Sequence, residues 1–379
     1  MQSGSTQILK YDRTLHACGR FRSGVSLHSH TMHSREFLGQ LPTYIAKLPI
    51  ASYIIEREIG KLHLYGRRNV DFGRIYWTPP LSPREAWELE RQQIERRFGL
   101  PALVSISDHD NIEAGLHLHM LDSASRVPIS VEWTIPYEQS VFHLGIHNLP
   151  VSRANAWMKE LASFTLKPRP GVLRQLLHEL NAEPSVLLVL NHPYWDIESA
   201  GREQHRDTLA IFLQKYGHLL HALELNGFRS RAENLEIVKL SETTDLLLIS
   251  GGDRHGLEPN ALLNLTSAKT FADFVDEIRL ERRSQIVLMP QYFEPLRHRM
   301  LQGAWDALSD APGELGRRHW MTRVFVQEPD GSTPRLSDLA GPYFEGLIDK
   351  FRWAISLLVS PQVRPAVRFA FLGSEDMGL

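Results

Sequence analysis

Short apolar runs punctuate this chain, and each gives way, directly or within three residues, to a carboxylate, an imidazole or an asparagine. The runs cover residues 24–27, 102–107, 128–131, 141–146, 186–190, 220–225 and 246–250. Rich in Val, Ile and Leu and bounded by turn signals, they predict buried strands. Helical patterns lie between them. Ser82-Pro83-Arg84-Glu85 reads as a capping box with proline at the first helical position, opening a helix toward Phe98. Asp110-Asn111-Ile112-Glu113 caps another through about Leu121, and further helices are expected over 152–164, 170–180, 206–216 and 232–241. Strands alternating with helices predict an α/β fold of parallel βα units. Seven such strands favour a closed or nearly closed barrel over an open sheet.

Two stretches fall outside the alternation. Residues 37–76 are expected as an insertion after the first strand. Residues 270–379 open with a helical pattern at 271–283 and then lose the repeat. A final helix there carries Phe344, Leu347, Ile348, Phe351, Ile355 and Leu358 on one face. The expected organisation is an N-terminal extension (1–23), a barrel (24–269) and a mostly helical C-terminal extension (270–379) packed on it. A homo-oligomer contact through the C-terminal helices is the alternative use of that face.

Composition narrows the function classes. Lys plus Arg is 42 and Asp plus Glu is 44, and this balance argues against a dedicated nucleic-acid or anionic-membrane binder. One cysteine, Cys18, allows no internal disulfide and favours a reducing compartment. Residues 1–24 lack the apolar core of a signal peptide. The uncharged run 353–359 is far short of the roughly 20 residues that span a bilayer. A cytoplasmic protein with no membrane partner is expected. The surplus is in histidine, at 18 residues.

Position decides what those histidines can do. In a strand, residues i and i+2 point the same way, so His28 and His30 can share an ion. In a helix such a pair diverges by about 200°, which sets His117 and His119 aside. Later strands bring Asp108-His109-Asp110, Glu132, His143, Asn191-His192-Pro193, Glu224 with Asn226, and Asp253-Arg254-His255. In a parallel barrel the carboxyl ends of the strands converge on one face, where active sites are built. Imidazole with bridging carboxylate suits zinc, manganese or iron. Six histidines and two or three carboxylates would over-coordinate one ion, so two or three clustered divalent ions are expected.

The ordered series His28-Ser29-His30, Asp108-His109-Asp110, Glu132, His143, Asn191-His192-Pro193 and Asp253-Arg254-His255 resembles the PHP family, named for polymerase-associated and histidinol-phosphatase domains. The resemblance covers roughly residues 24–257, about 60% of the chain. It implies a distorted seven-stranded (β/α) barrel with a two- or three-metal phosphoesterase centre. It also implies His28, His30, Glu132 and Asp253 around a first ion and Glu132, His143 and His192 around a second, with Glu132 as the bridge. His109 and His255 would belong to a third. Family members commonly carry Asp or His five or six residues beyond the second histidine. Arg35 and Glu36 stand there instead, so Glu36 takes the ligand's place, with His33 the weaker candidate.

The expected activity is hydrolysis of a phosphomonoester of a small metabolite or nucleotide by metal-activated hydroxide. Asp253 would orient the water or accept its proton, and Arg254, Arg35 and Arg229 are candidates to grip the phosphate. The alternatives are an amidohydrolase-like C–N hydrolase and a non-catalytic metal-binding module for sensing or assembly. The first would prefer a bridging carbamylated lysine, and no expected strand end offers a lysine.

Overall fold

All seven expected strands form, but they do not pair as a barrel. The computed structural model of the chain describes residues 4–12, 19–39, 71–121, 124, 126–310, 319–339 and 342–370. In chain order the strands are β1 (Ser5–Lys10), β2 (Ser23–Ser26), β3 (Glu36–Phe37), β4 (Ile75–Trp77), β5 (Ala102–Val104), β6 (Ile129–Tyr137), β7 (Ser140–Leu149), β8 (Leu187–Asn191), β9 (Ala222–Asn226), β10 (Leu247–Gly251), β11 (Leu262–Thr266), β12 (Arg283–Leu288) and β13 (Val324–Val326). One sheet runs β1-β12-β11-β2-β5, a second β10-β9-β8-β7-β6, and a small third β13-β4-β3. The seven-stranded barrel is therefore corrected to an α/β fold of three sheets, none of them closed.

The chain itself explains the difference. Only Glu138 and Gln139 join β6 to β7, and a two-residue link permits antiparallel pairing alone. β7 also pairs antiparallel with β8, and β11 lies antiparallel to both β2 and β12. Among the described residues, two single-residue bridges link the five-stranded sheets, Ser29 with Arg254 and His109 with Glu132. Both bridges involve the histidine-bearing segments.

The ends of the chain do not stand apart from this core. β1, from the expected N-terminal extension, pairs in parallel with β12, from the expected C-terminal one. The helix expected over 271–283 stops at Arg279, and β12 begins at Arg283. Of the expected insertion, residues 40–70 lie outside the described residues, as does Cys18. Its flanks, β3 and β4, pair antiparallel. The final helix spans Pro342–Val359. The side chains of Phe344, Leu347, Ile348 and Phe351 lie outside the described residues, and on the same helix Trp353 is exposed.

Helices α1 (Pro83–Phe98), α2 (Glu113–His119), α3 (Ala154–Leu166), α4 (Pro170–Ala182), α5 (Arg202–Tyr216), α6 (Arg231–Thr244), α7 (Phe271–Arg279) and α8 (Leu296–Leu308) cover the sheets. α1 begins as its sequence dictates, with Ser82 and Glu85 capping each other's backbone N–H and Pro83 in the first turn. Gly99 closes it at φ 64°. No described helix is long and apolar enough to cross a membrane.

Alternation along the strands separates core from site. On β6, Ile129, Val131, Trp133 and Ile135 enter the main apolar core with Phe142, Leu144 and Ile146 of β7. Glu132 and His143 therefore share the opposite face. A second cluster joins Val25 and Leu27 to Leu187, Val189, Leu247, Ile249 and the apolar side of α7.

His221, just before β9, makes the core acid-sensitive. Burial, helped by the Arg279 charge, pushes its pKa down to about 3, and its Nδ1 accepts the Leu188 N–H at 2.9 Å. As pH falls below about 6.5 the unfolded chain takes up a proton that the folded chain refuses until about pH 3, so stability falls across that window. The metal-free protein should lose Tm as pH drops from 6.5 toward 4, and His221→Asn, which keeps an acceptor, should flatten that slope. Parallel Tm curves for the two proteins would refute this assignment.

Candidate metal centre

Glu132 lies mid-strand on β6, fully buried, and five imidazoles surround it. Its Oε1 lies 3.0 Å from His192 Nε2 and 3.3 Å from His143 Nδ1. Its Oε2 lies 3.0 Å from His28 Nε2, 3.2 Å from His109 Nδ1 and 3.4 Å from His30 Nε2. Asp253 Oδ1 lies 3.5–3.6 Å from the same Nε2 atoms of His28 and His30 and from His255 Nδ1. Glu36 Oε2, on β3, lies 3.4 Å from His109 and 3.2 Å from His255.

All nine expected ligands thus meet in one cluster, in four overlapping groups that could each hold a metal ion. The groups are His28-His30-Glu132, His28-His192-Asp253, His109-Glu132-His143 and His30-Glu36-His109-His255, each with donor atoms within 4.8 Å of one another. The grouping differs from the one the resemblance implies. His192 joins His28 and Asp253, and His109 belongs to two groups. His33, the weaker candidate, instead pairs with Glu113 at 2.8 Å.

The electrostatics show what the centre requires. Burial alone would raise the Glu132 pKa, but the charges of His28, His109 and His143 hold it well below the carboxylate range. Asp253 and Glu36 are lowered in the same way by their imidazole neighbours, against burial. In turn, Glu132, Glu224 and Asp253 raise His28 well above its ordinary value despite burial, and Glu132 and Glu36 lift His109 to about 10. His30 is pushed down to about 3 by burial and the His255 charge. Four buried atoms at the centre have no hydrogen-bond partner: His28 Nε2, His30 Nε2, Glu132 Oε2 and His143 Nδ1. Such groups are rare in a folded interior unless something absent from the protein chain completes them. The N/O donor set fits a divalent ion.

Outer groups fix these ligands. Glu224 accepts the His28 Nδ1–H at 2.6 Å and the His192 backbone N–H at 2.9 Å. Asn226 donates to both Glu224 (2.9 Å) and Asp253 (3.2 Å), and Asn191 donates to Glu132 (2.9 Å). Ser34 donates to Glu36 at 2.6 Å and accepts the His109 N–H at 3.1 Å. Asp108 accepts both the N–H and the hydroxyl of Thr31, and burial lifts its pKa to about 7. Three ligands sit in the left-handed region, His28 (φ 61°), Asp253 (φ 50°) and His192 (φ 26°). Gly251 permits the closest approach, since a Cβ there would stand 1.6 Å from Glu224 Oε1.

The three candidate arginines separate. Arg254 is corrected from substrate grip to structural support: it is buried, with Nε on Glu90 and Nη1 on the Gly256 carbonyl at 2.7 Å. Arg35 is exposed and lies over Tyr76, 5.4 Å from its ring centre. Arg229 stacks 3.8 Å above Trp195, whose ring packs against His192 (4.9 Å) and His143 (6.1 Å). Trp195 carried no signal in the sequence beyond its place three residues after His192.

No protein-family model and no curated protein matches this chain. Among solved structures it is similar to a provisionally assigned metal-dependent phosphoesterase from Bifidobacterium adolescentis, with 16% identity over 54% of this chain and 92% of that one, TM-score 0.33. It is also similar to an amidohydrolase from Chromobacterium violaceum, solved with sulfate and no metal, with 15% identity over 47% of this chain and 83% of that one, TM-score 0.35. Likeness this low carries neither fold nor activity across. The geometry above stands alone.

Glu132→Ala removes the group shared by two of the four clusters. Metal content by mass spectrometry should fall by at least one ion per chain relative to wild type, and unchanged content would sink the bridging assignment. Glu36→Ala should lose only the ion nearest His255, leaving uptake at His28, His192 and Asp253.

Proposed function

We propose that this chain is a metal-dependent phosphoesterase hydrolysing phosphomonoesters of small metabolites or nucleotides. The carrying observation is the convergence of partnerless buried His28, His30, His143 and Glu132 atoms on one centre. His28, His30, His192 and Asp253 would hold one ion, and His109 and His143 another, with Glu132 between them. Glu36 and His255 would complete a third with His30 and His109. Mixed imidazole and carboxylate ligation favours zinc, manganese or iron over magnesium or calcium. Bound ions of this kind supply a water acidified toward neutrality and positive charge for phosphate oxygens.

The chain's own residues supply the rest. Asn226 holds Asp253 through Oδ2, which leaves Oδ1 facing the imidazoles. From there the carboxylate can orient a water and take its proton. Arg229 makes no ion pair within 4 Å among the described residues, and its buried Nε has no hydrogen-bond partner. Stacked on Trp195 beside two ligand histidines, it offers a guanidinium fork to an incoming phosphate.

Metal-replete protein should release phosphate from at least one member of a panel of sugar phosphates, nucleotides, bisphosphates and amino-alcohol phosphates. Turnover should need manganese or zinc and stop on chelation. Arg229→Ala should raise KM roughly 10- to 100-fold, the loss of one charged hydrogen-bonding group, with a smaller change in kcat. No phosphate release from any panel member by a metal-loaded preparation would refute the proposal.

A further inference from the structure

Glu90 lies on α1, outside every motif that contributes a ligand, and is 1% exposed. Its Oε1 accepts the Ser29 hydroxyl at 2.7 Å and Arg254 Nε. Its Oε2 accepts the Ser26 hydroxyl at 2.6 Å and an Asn260 amide N–H. One carboxylate therefore ties down the middle residue of both His28-Ser29-His30 and Asp253-Arg254-His255. These two segments already lie side by side, with His30 N–H on the Arg254 carbonyl at 2.8 Å and Arg254 N–H on the His28 carbonyl at 3.3 Å.

The pairing matters because of what immediately precedes each anchored residue. Ser29 follows His28, at φ 61°, and Arg254 follows Asp253, at φ 50°. L-residues adopt the left-handed region only when their surroundings hold them there. Relaxing either backbone would swing His28 Nε2 or Asp253 Oδ1 away from the partners it now meets at 3.0–3.6 Å. We infer that Glu90 is a positioning residue: by gripping Ser29 and Arg254 from behind, its carboxylate holds His28 and Asp253 in the conformation that presents them to a metal ion. The inference rests on the metal-centre reading and extends it to a residue that touches neither metal nor substrate.

The test is Mn²⁺ titration by calorimetry, with Tm measured for chelator-treated and Mn²⁺-loaded protein. Glu90→Gln should weaken Mn²⁺ binding by roughly 10- to 100-fold, the usual effect of losing an outer-shell partner, and shrink the Tm gain on metal loading. A purely structural role would lower both Tm values equally and leave the affinity at the wild-type level, and that result overturns the inference. Glu90→Gln leaves the Arg254 charge buried without its partner. If it fails to fold, Ser29→Ala decides, since it removes only the bond beside His28. Weaker Mn²⁺ binding by Ser29→Ala then supports the inference and wild-type affinity overturns it. Wild-type protein that binds no Mn²⁺ would overturn the metal-centre reading as well, a failure distinguished by its presence before any substitution.

Discussion

A single buried charge organises this molecule. The Glu132 carboxylate has no exposure to water, and an isolated ion in such a place costs several kcal/mol after relaxation. The chain meets that cost by directing five imidazole nitrogens at its two oxygens from 3.0–3.4 Å. Those nitrogens arrive from β7 and from the segments that follow β2, β5 and β8. The bridge between His109 and Glu132 is also one of two single-residue bridges between the large sheets among the described residues. Compensation of this charge and one of the links between the two sheets therefore share the same residue pair.

Holding the centre together takes local backbone strain and tight clearances. Three of its ligands occupy the left-handed region, and none of them is glycine. Glycine appears where side chains must pass instead: at Gly145 a Cβ would stand 2.8 Å from both Asn191 Oδ1 and His147 Nε2. Strained ligands persist when surrounding contacts over-determine them. Here Glu224 serves His28 and the His192 backbone at once, and Asn226 links Glu224 to Asp253. The polar network outside the ligands is as much a part of the site as the ligands are.

The clustered side chains were legible as a set because they lie in or just after short apolar strands. Strand alternation fixes direction only for those within strands, such as Glu132 and His143, and not for His28, His192 and Asp253 with their left-handed backbone. In Asp253-Arg254-His255 the first and third side chains meet at the centre, while Arg254 turns away from it into the interior, onto Glu90. Glu90 carried a signal of its own, an acidic residue in the otherwise apolar buried stripe Ala86, Ile94 and Phe98 of α1. Sheet closure was less legible. Apolar runs mark strands without marking their partners, and the hairpin at Glu138-Gln139 was the one local clue that β6 and β7 run antiparallel. β1 and β12 mix polar and apolar residues, as in Ser-Thr-Gln-Ile-Leu-Lys and Arg-Ser-Gln-Ile-Val-Leu, and lack the continuous apolar run of a buried parallel strand.

Arg35 and Glu36 are consecutive yet face opposite ways beside the centre. An arginine inside the centre would repel a metal ion. Glu36 opens β3 and Arg35 immediately precedes it, and the two side chains point apart. Arg35 goes outward over Tyr76, while Glu36 goes inward to His109 and His255, held by Ser34. The His30-Glu36-His109-His255 group keeps four donors, with the carboxylate arriving on a small sheet edge.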